Sequence, residues 1–251
     1  MKLYRAIIAV ICIALLLTFA WITAASAAEV KVFTARAGAT VLEKIGPEFE
    51  RMTGHRLNVI YDADFGAILG RVSANEPFDV MIRGTEGIDS MIKDGTIAAG
   101  TRTNLFHSGM GVEVRTGAPK PDISSVEAFR RTLLNAKSIG HFRPNRVQEL
   151  IDRLGLADAI RSKVTTPNSD IVSELVAKGE LELGIVVIAQ ILTTPGVEFV
   201  GPLPAEIQYD YPFAAGISAN SKAPGAALDL IRFLTGPVTI PVVKSQVMEP
   251  G

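Results

Sequence analysis

Arginine side chains recur in this sequence where predicted β-strands end. Arg36, Arg83 and the pair Arg143 and Arg146 each follow a short apolar run and precede a helical pattern. In an open parallel sheet the ligand crevice lies beyond the carboxyl ends of the strands, where helix N-termini point. A guanidinium binds a carboxylate through two parallel hydrogen bonds. The pattern indicates a site for a small anion; the alternative is that each arginine is a solvated loop residue.

Glycines accompany these arginines at the same strand–helix junctions. The four candidate loops are 34–39, 62–66, 83–87 and 142–146. Gly38, Gly66 and Gly84 keep three of them small enough for a ligand to approach the backbone. Free backbone amides at such positions attract anions through hydrogen bonding and the helix dipole. We therefore expect the amides of Gly38 and Gly66 to assist the arginines.

Other chemistries find little support in the composition. The chain has one Cys and three His, and no spacing typical of a metal site, a nucleophile triad or a phosphate-binding loop occurs. We expect no cofactor and no bound metal. The net charge of −1 does not suit a polyanion binder, so nucleic acid is not an expected partner.

The first 28 residues differ from the rest of the chain. Lys2 and Arg5 precede an apolar run from Ala6 to Ile22, and a tract of small residues ends at Ala28. This pattern is typical of a secretory signal peptide cleaved after Ala27 or Ala28; the alternative is an uncleaved membrane anchor. Without residues 1–28, which hold two basic and no acidic side chains, the net charge falls from −1 to −3.

Short apolar runs alternate with helical patterns along the remaining chain, which predicts an α/β fold. Three strand–loop–helix units in succession, beginning with a helix at 40–52, indicate parallel strands joined by right-handed crossovers. Two Pro- and Gly-rich crossings, near 110–120 and 201–212, divide the chain. We predict one lobe from 29–110 plus 212–251 and a second from 111–211, joined by two hinge crossings that allow closure around a ligand.

Several segments together resemble a known family. They are Val32-Phe33-Thr34-Ala35, Glu48-Phe49-Glu50, Phe78-Asp79-Val80-Met81-Ile82, Gly184-Ile185-Val186, the run from Gly201 to Gln208 and the run from Ala227 to Leu234. The chain resembles the molybdate-type periplasmic substrate-binding proteins of ABC importers. The resemblance implies a two-lobed periplasmic binding protein fold of type II, each lobe a mainly parallel sheet flanked by helices. It also implies a periplasmic monomer that delivers a small anion to the membrane subunits of an ABC importer.

The positions that match the family's ligand site have changed. Ala37 and Phe65 stand where the resemblance places serines, and Val187 stands where it places a tyrosine. The run from His141 to Arg146, which contains Arg143, replaces an Ala- and Gly-rich loop. Lost hydroxyl donors disfavour a compact oxyanion, whereas arginines and an aromatic surface suit a larger organic carboxylate. A molybdate or tungstate binder with a modified site is the alternative.

An enzymatic function is a further alternative. The resemblance extends to periplasmic aconitate isomerases, which move a proton between cis- and trans-aconitate. Such a reaction needs a base beside cations that hold the carboxylates. If the protein is an isomerase, His141 is the expected base, with Asp64 or Glu86 as substitutes; the competing interpretation of His141 is an ordinary histidine at a strand end.

Overall fold

The computed structural model describes residues 27–62, 65–141, 146–167 and 169–251. The strands are β1 (Glu29–Thr34), β2 (Arg56–Tyr61), β3 (Val80–Gly84), β4 (Thr103–Arg115), β5 (Ile139–His141), β6 (Val164–Thr165), β7 (Leu183–Val187), β8 (Val197–Pro202), β9 (Asp210–Ile217) and β10 (Glu249–Pro250). The helices are α1 (Arg36–Thr53), α2 (Phe65–Ser73), α3 (Thr85–Lys93), α4 (Val126–Asn135), α5 (Arg146–Arg153), α6 (Ala157–Ile160), α7 (Ser169–Lys178), α8 (Ile188–Thr193), α9 (Pro224–Leu234) and α10 (Ile240–Ser245). A 3₁₀ turn spans Arg161–Lys163.

The strands form a mixed sheet in the order β2-β1-β3-β9-β4-β7-β5-β6, with β8 and β10 also paired to β4. β1, β2 and β3 are parallel to one another, as are β5, β6 and β7. The parallel pairing within each set is the pairing expected when strands alternate with helices along the chain. β9 adds antiparallel pairing beside β3, and β4 adds it beside β7, so the complete sheet is mixed.

Strand β4 belongs to both halves of the sheet. Its first part, from Thr103 to Gly109, pairs with β9, and its second part, from Met110 onward, pairs with β7 and β8. Gln208 fixes the point of change, because its side-chain amide donates to the Met110 carbonyl at 2.8 Å and its Oε1 accepts from the Met110 N–H at 2.9 Å. The side chain of Gln208 therefore fixes the backbone of β4 at Met110, where the pairing changes from β9 to β7 and β8.

Alternate residues of the first three strands enter two different hydrophobic clusters. Val32 and Ile82 pack with α1 and α9, whereas Phe33 and Met81 pack with α2 and α3. Such strands are buried on both faces, which accounts for their near-continuous apolar sequences. No helix among the described residues is long and apolar enough to cross a membrane.

A buried carboxylate ties β3 to the segment before α9. Asp79 accepts hydrogen bonds from the Ser221 hydroxyl at 2.6 Å, from the Lys31 N–H at 2.9 Å and from the N–H groups of Lys222 and Ala223. Burial alone would raise the pKa of Asp79, but the hydrogen bonds from Ser221 and the backbone outweigh it and lower the pKa.

Candidate functional site

The carboxyl ends of β2, β1 and β3 lie side by side at one edge of the sheet. Thr34 pairs with Tyr61 on one side and with Ile82 on the other. Helices α1 and α3 follow β1 and β3 within two residues, and α2 begins four residues after β2. Their N-termini therefore gather at the edge where the sequence predicts an anion site.

Helix α1 begins earlier than the predicted start at residue 40. Ala35 adopts extended backbone (φ −80°, ψ 167°), and the Ala39 N–H already donates to the Ala35 carbonyl at 3.0 Å. Arg36, Ala37 and Gly38 thus form the first helical turn. The sequence prediction, which placed them in a loop before the helix, was wrong on this point. Their N–H groups precede the first intrahelical hydrogen bond, which preserves the expected anion-attracting end.

Arg36 lies over an aromatic ring and faces a carboxylate of α7. Its guanidinium carbon is 4.9 Å from the centroid of the Tyr61 ring, and its side chain is 15% exposed. Its Nη2 lies 3.6 Å from Oε1 of Glu174, which is on α7. The ring holds the planar group in one orientation, with its charge directed toward α7.

Arg83 is held between a ring and a helix. Its guanidinium carbon lies 4.6 Å from the centroid of Phe65, and a Cβ on Gly87 would come within 2.1 Å of its Nε. Gly87 is therefore needed for the guanidinium to lie flat on α3. Burial lowers the pKa of Arg83 from its usual value, and the nearby Tyr211 partly opposes this effect.

Arg146 is the first residue of α5, the helix that follows β5 in the chain. Its Nη2 lies 3.6 Å from Oε1 of Glu86 on α3, and its guanidinium carbon lies 5.9 Å from the Tyr209 ring. Burial raises the pKa of the Tyr209 hydroxyl well above its ordinary value, with Arg146 opposing. These three side chains line a cavity of about 450 Å³ together with Glu149, Leu150, Arg153 and residues 206–208.

The remaining predicted site residues do not gather at one place among the described residues. Ala37, His141 and Val187 are buried, and Gly66 is the second residue of α2. A Cβ on Gly38 would lie 2.1 Å from Oγ1 of Thr34, so this glycine is required for packing against β1. Arg143 and Asp64 lie outside the described residues.

Sequence reasoning missed one acidic side chain, Glu113. It is fully buried on β4, where the Ser173 hydroxyl hydrogen-bonds its carboxylate at 2.8 and 3.0 Å, and the Gln190 amide donates to that hydroxyl. Burial raises the pKa of Glu113 to about 7, against the opposing influence of Ser173 and of the Arg36 charge. The sequence feature that could have identified this residue is a single glutamate within the apolar run from Gly111 to Val114.

Glu113 and His141 face opposite sides of the sheet. Glu113 pairs with Gly184 and His141 pairs with Ile185, the next residue of β7. Successive side chains of a strand alternate between faces. The two groups therefore do not share one site. Among the described residues no group of three or more metal-ligating side chains occurs.

The sequence model of the bacterial extracellular solute-binding proteins matches residues 30–246. The chain belongs to this family. The solute-binding protein is 28% identical over 219 residues to an aconitate isomerase from Pseudomonas sp., covering 83% of each chain. It is also 27% identical over 237 residues to a molybdate-binding protein of Azotobacter vinelandii, covering 88% of this chain and 90% of the relative.

A solved structure carries the same architecture. The periplasmic molybdate-binding protein of Azotobacter vinelandii superimposes on this solute-binding protein with a TM-score of 0.70 at 20% identity, covering 87% of this chain and 98% of that one. The predicted two-lobed periplasmic binding protein fold is thus confirmed. Family membership makes the chain a bacterial extracellular solute-binding protein.

Proposed function

We propose that this protein captures a small organic anion with two or more carboxylates between its lobes and delivers it to an ABC importer. The observation that carries the proposal is the pair of ring-supported guanidinium groups, Arg36 over Tyr61 and Arg83 over Phe65, at neighbouring strand ends. Planar, oriented guanidinium groups match carboxylates bidentately. The lobes we propose are 29–110 with 212–251 and 111–211, and we propose export to the periplasm through cleavage of residues 1–28.

The aromatic supports favour an organic over an inorganic ligand. The Phe65 ring adds apolar surface beside Arg83, which a compact oxyanion would not use. Ala37 and Val187 bring no hydroxyl donor to the positions they occupy, so a molybdate ion would lose hydrogen bonds there. The relative named as an aconitate isomerase indicates that a tricarboxylate suits a chain of this kind.

A panel of ligands tests the proposal. We expect citrate, aconitate or a related di- or tricarboxylate to raise the melting temperature and to bind in calorimetry, because a ligand stabilises the folded form that binds it. Arg36→Ala and Arg83→Ala should each weaken that binding by about tenfold or more. Arg51→Ala is the matched control, since Arg51 is exposed on α1 and pairs with Glu48 of the same helix. Tight binding of molybdate together with none of organic acids would refute the proposal.

A second candidate function is isomerisation of aconitate, and Glu113 is the observation that favours it. Burial raises the pKa of Glu113 to about 7 although the charge of Arg36 opposes this, and a carboxyl group with that pKa has the acidity expected of a general base at neutral pH. The base would remove a proton from the methylene carbon, the double bond would shift, and the proton would return at the former vinylic carbon. Incubation of the protein with trans-aconitate checks this: cis-aconitate should form, and Glu113→Gln should abolish it. Binding of aconitate without formation of cis-aconitate would contradict the isomerase function and leave transport as the only function proposed.

A further inference from the structure

Two ion pairs of opposite sense connect the proposed lobes, and we call them the interlobe pairs. In the first, Arg36 of the lobe that begins the chain faces Glu174 of the other lobe. In the second, the first lobe supplies the carboxylate of Glu86 and the other lobe supplies Arg146. Each pair thus occupies an arginine that the sequence assigns to the anion site with a carboxylate from across the cleft.

Both interlobe pairs are loose. Nitrogen and oxygen lie 3.6 Å apart in each, longer than the 2.7–3.2 Å typical of an N–H···O hydrogen bond. The carboxylate side chains are also accessible, with Glu174 35% and Glu86 57% exposed. Ion pairs of this kind contribute little free energy. A ligand carboxylate that forms short, bidentate hydrogen bonds with the same guanidinium would displace them.

We infer that Glu174 and Glu86 act as internal counter-ions, which occupy Arg36 and Arg146 in the ligand-free protein and are displaced by the carboxylates of the incoming anion. This inference rests on the proposed function and identifies Glu174 as a specificity-determining residue. A ligand must bind Arg36 better than Glu174 does. Anions with a single weak contact are therefore rejected, whereas those with several carboxylates are retained.

Removal of Glu174 leaves Arg36 with other partners. Glu113 approaches from β4 closely enough for the charge of Arg36 to influence its pKa, and the Tyr61 ring supports the guanidinium. A Glu174→Gln variant therefore does not strand a buried charge, and we expect it to fold.

The inference predicts the direction in which Glu174→Gln changes the affinity for the ligand. A contact present only in the free protein lowers the apparent affinity, because the ligand must replace it. Glu174→Gln should bind the organic anion about threefold more tightly, in line with the small free energy of an exposed pair. If the Arg36–Glu174 contact instead persisted in the complex, the same substitution would weaken binding.

The first experiment is calorimetry on the full chain with the organic anion identified in the ligand panel. Glu127→Gln is the matched control, because it removes one acidic charge from an ion pair with Arg130 that lies within α4. We expect tighter binding for Glu174→Gln and unchanged binding for Glu127→Gln. Equal or weaker binding by Glu174→Gln overturns the inference, even when the wild-type protein binds the organic anion as proposed.

A second measurement does not depend on any ligand. Small-angle X-ray scattering of the ligand-free protein at low salt should give a larger radius of gyration for the Glu86→Gln/Glu174→Gln double variant than for wild type. Raising the salt to about 0.5 M should expand the wild type toward the variant, because salt screens exposed pairs. Identical scattering of the two proteins overturns the inference. If no organic anion binds, the proposed function fails and the scattering alone decides the role of the interlobe pairs.

Discussion

At the scale of single residues, Glu113 is a carboxylic acid held in surroundings that favour its neutral form. It is fully buried at the end of a chain of hydrogen bonds that runs from the Gln190 amide through the buried Ser173 hydroxyl to its own carboxylate. A Cβ on Gly184, its partner across the strand pair, would lie 2.3 Å from Oε1 of Glu113. Gly184 therefore provides the space that this carboxylate occupies.

The raised pKa of Glu113 makes a prediction about stability and pH. Folding raises its pKa from 4.5 to about 7, so the folded protein favours the protonated form. The favourable contribution is fully present below pH 4.5 and is lost as the pH rises through about 7. Relative to Glu113→Gln, which stays neutral, wild type should lose on the order of 3 kcal/mol of unfolding free energy across this range. Urea unfolding of both proteins at pH 5 and pH 8 checks this; a difference independent of pH would contradict it.

At the scale of elements, the contact of α1 with the first strands sets the position of Arg36. Gly38 lies in the first turn of α1, and a Cβ there would meet Oγ1 of Thr34 at 2.1 Å and Cγ2 of Ile82 at 3.0 Å. The helix can therefore lie close to both β1 and β3 only because residue 38 has no side chain.

Substitution of this glycine tests the packing. Gly38→Ala should lower the unfolding free energy by about 1–3 kcal/mol, because overpacking forces the helix away from the strands. Gly70→Ala in α2 is the matched control: nothing lies within 4 Å of its Cβ, so alanine should leave stability unchanged or raise it by about 0.5–1 kcal/mol. Urea unfolding of both variants measures the difference. Equal effects at the two glycines would show that helix propensity, and not packing against Thr34, determines the change in unfolding free energy.

At the scale of the whole molecule, the tyrosines outside residues 1–28 all contact groups of the cleft. Tyr61 lies under Arg36, Tyr209 lies beside Arg146, and the Tyr211 hydroxyl lies against Gly84. The chain has a single tryptophan, Trp21, within the predicted signal. Tyrosine emission should therefore report on closure of the cleft.

In a Trp21→Phe chain, addition of the organic anion should change tyrosine emission, because the guanidinium groups above Tyr61 and Tyr209 change partners. The change should saturate at the dissociation constant measured by calorimetry. Tyr61→Phe should reduce its amplitude, and a non-binding oxyanion should produce none. Emission that stays constant while calorimetry detects binding would contradict this account.

The order of strands and helices could be predicted from the sequence because it depends on local patterns. Residues Val41, Ile45 and Phe49 share one buried face of α1 at the spacing of four that a helix requires, and Gly54, a residue type common at helix ends, stops that helix in a left-handed conformation (φ 74°). The start of α1 was predicted too late, since Ala35 gives no side-chain cap that would mark it. The first part of β4 has no clear strand pattern in the sequence, because His107 and Ser108 interrupt its apolar residues.

The sequence by itself determined the α/β class, the family and the arginines at the strand ends, because periodicity and motifs are properties of neighbouring residues. The tertiary structure alone decided what each charge faces. Glu113 and Ser173 are 60 residues apart in the sequence, and Arg36 and Glu174 lie on two separate helices, α1 and α7. Electrostatic energies depend on distance in space and on burial, and neither can be read from a linear pattern. The aromatic rings beside Arg36, Arg83 and Arg146, and the carboxylates that face Arg36 and Arg146, could therefore be identified only from the folded chain.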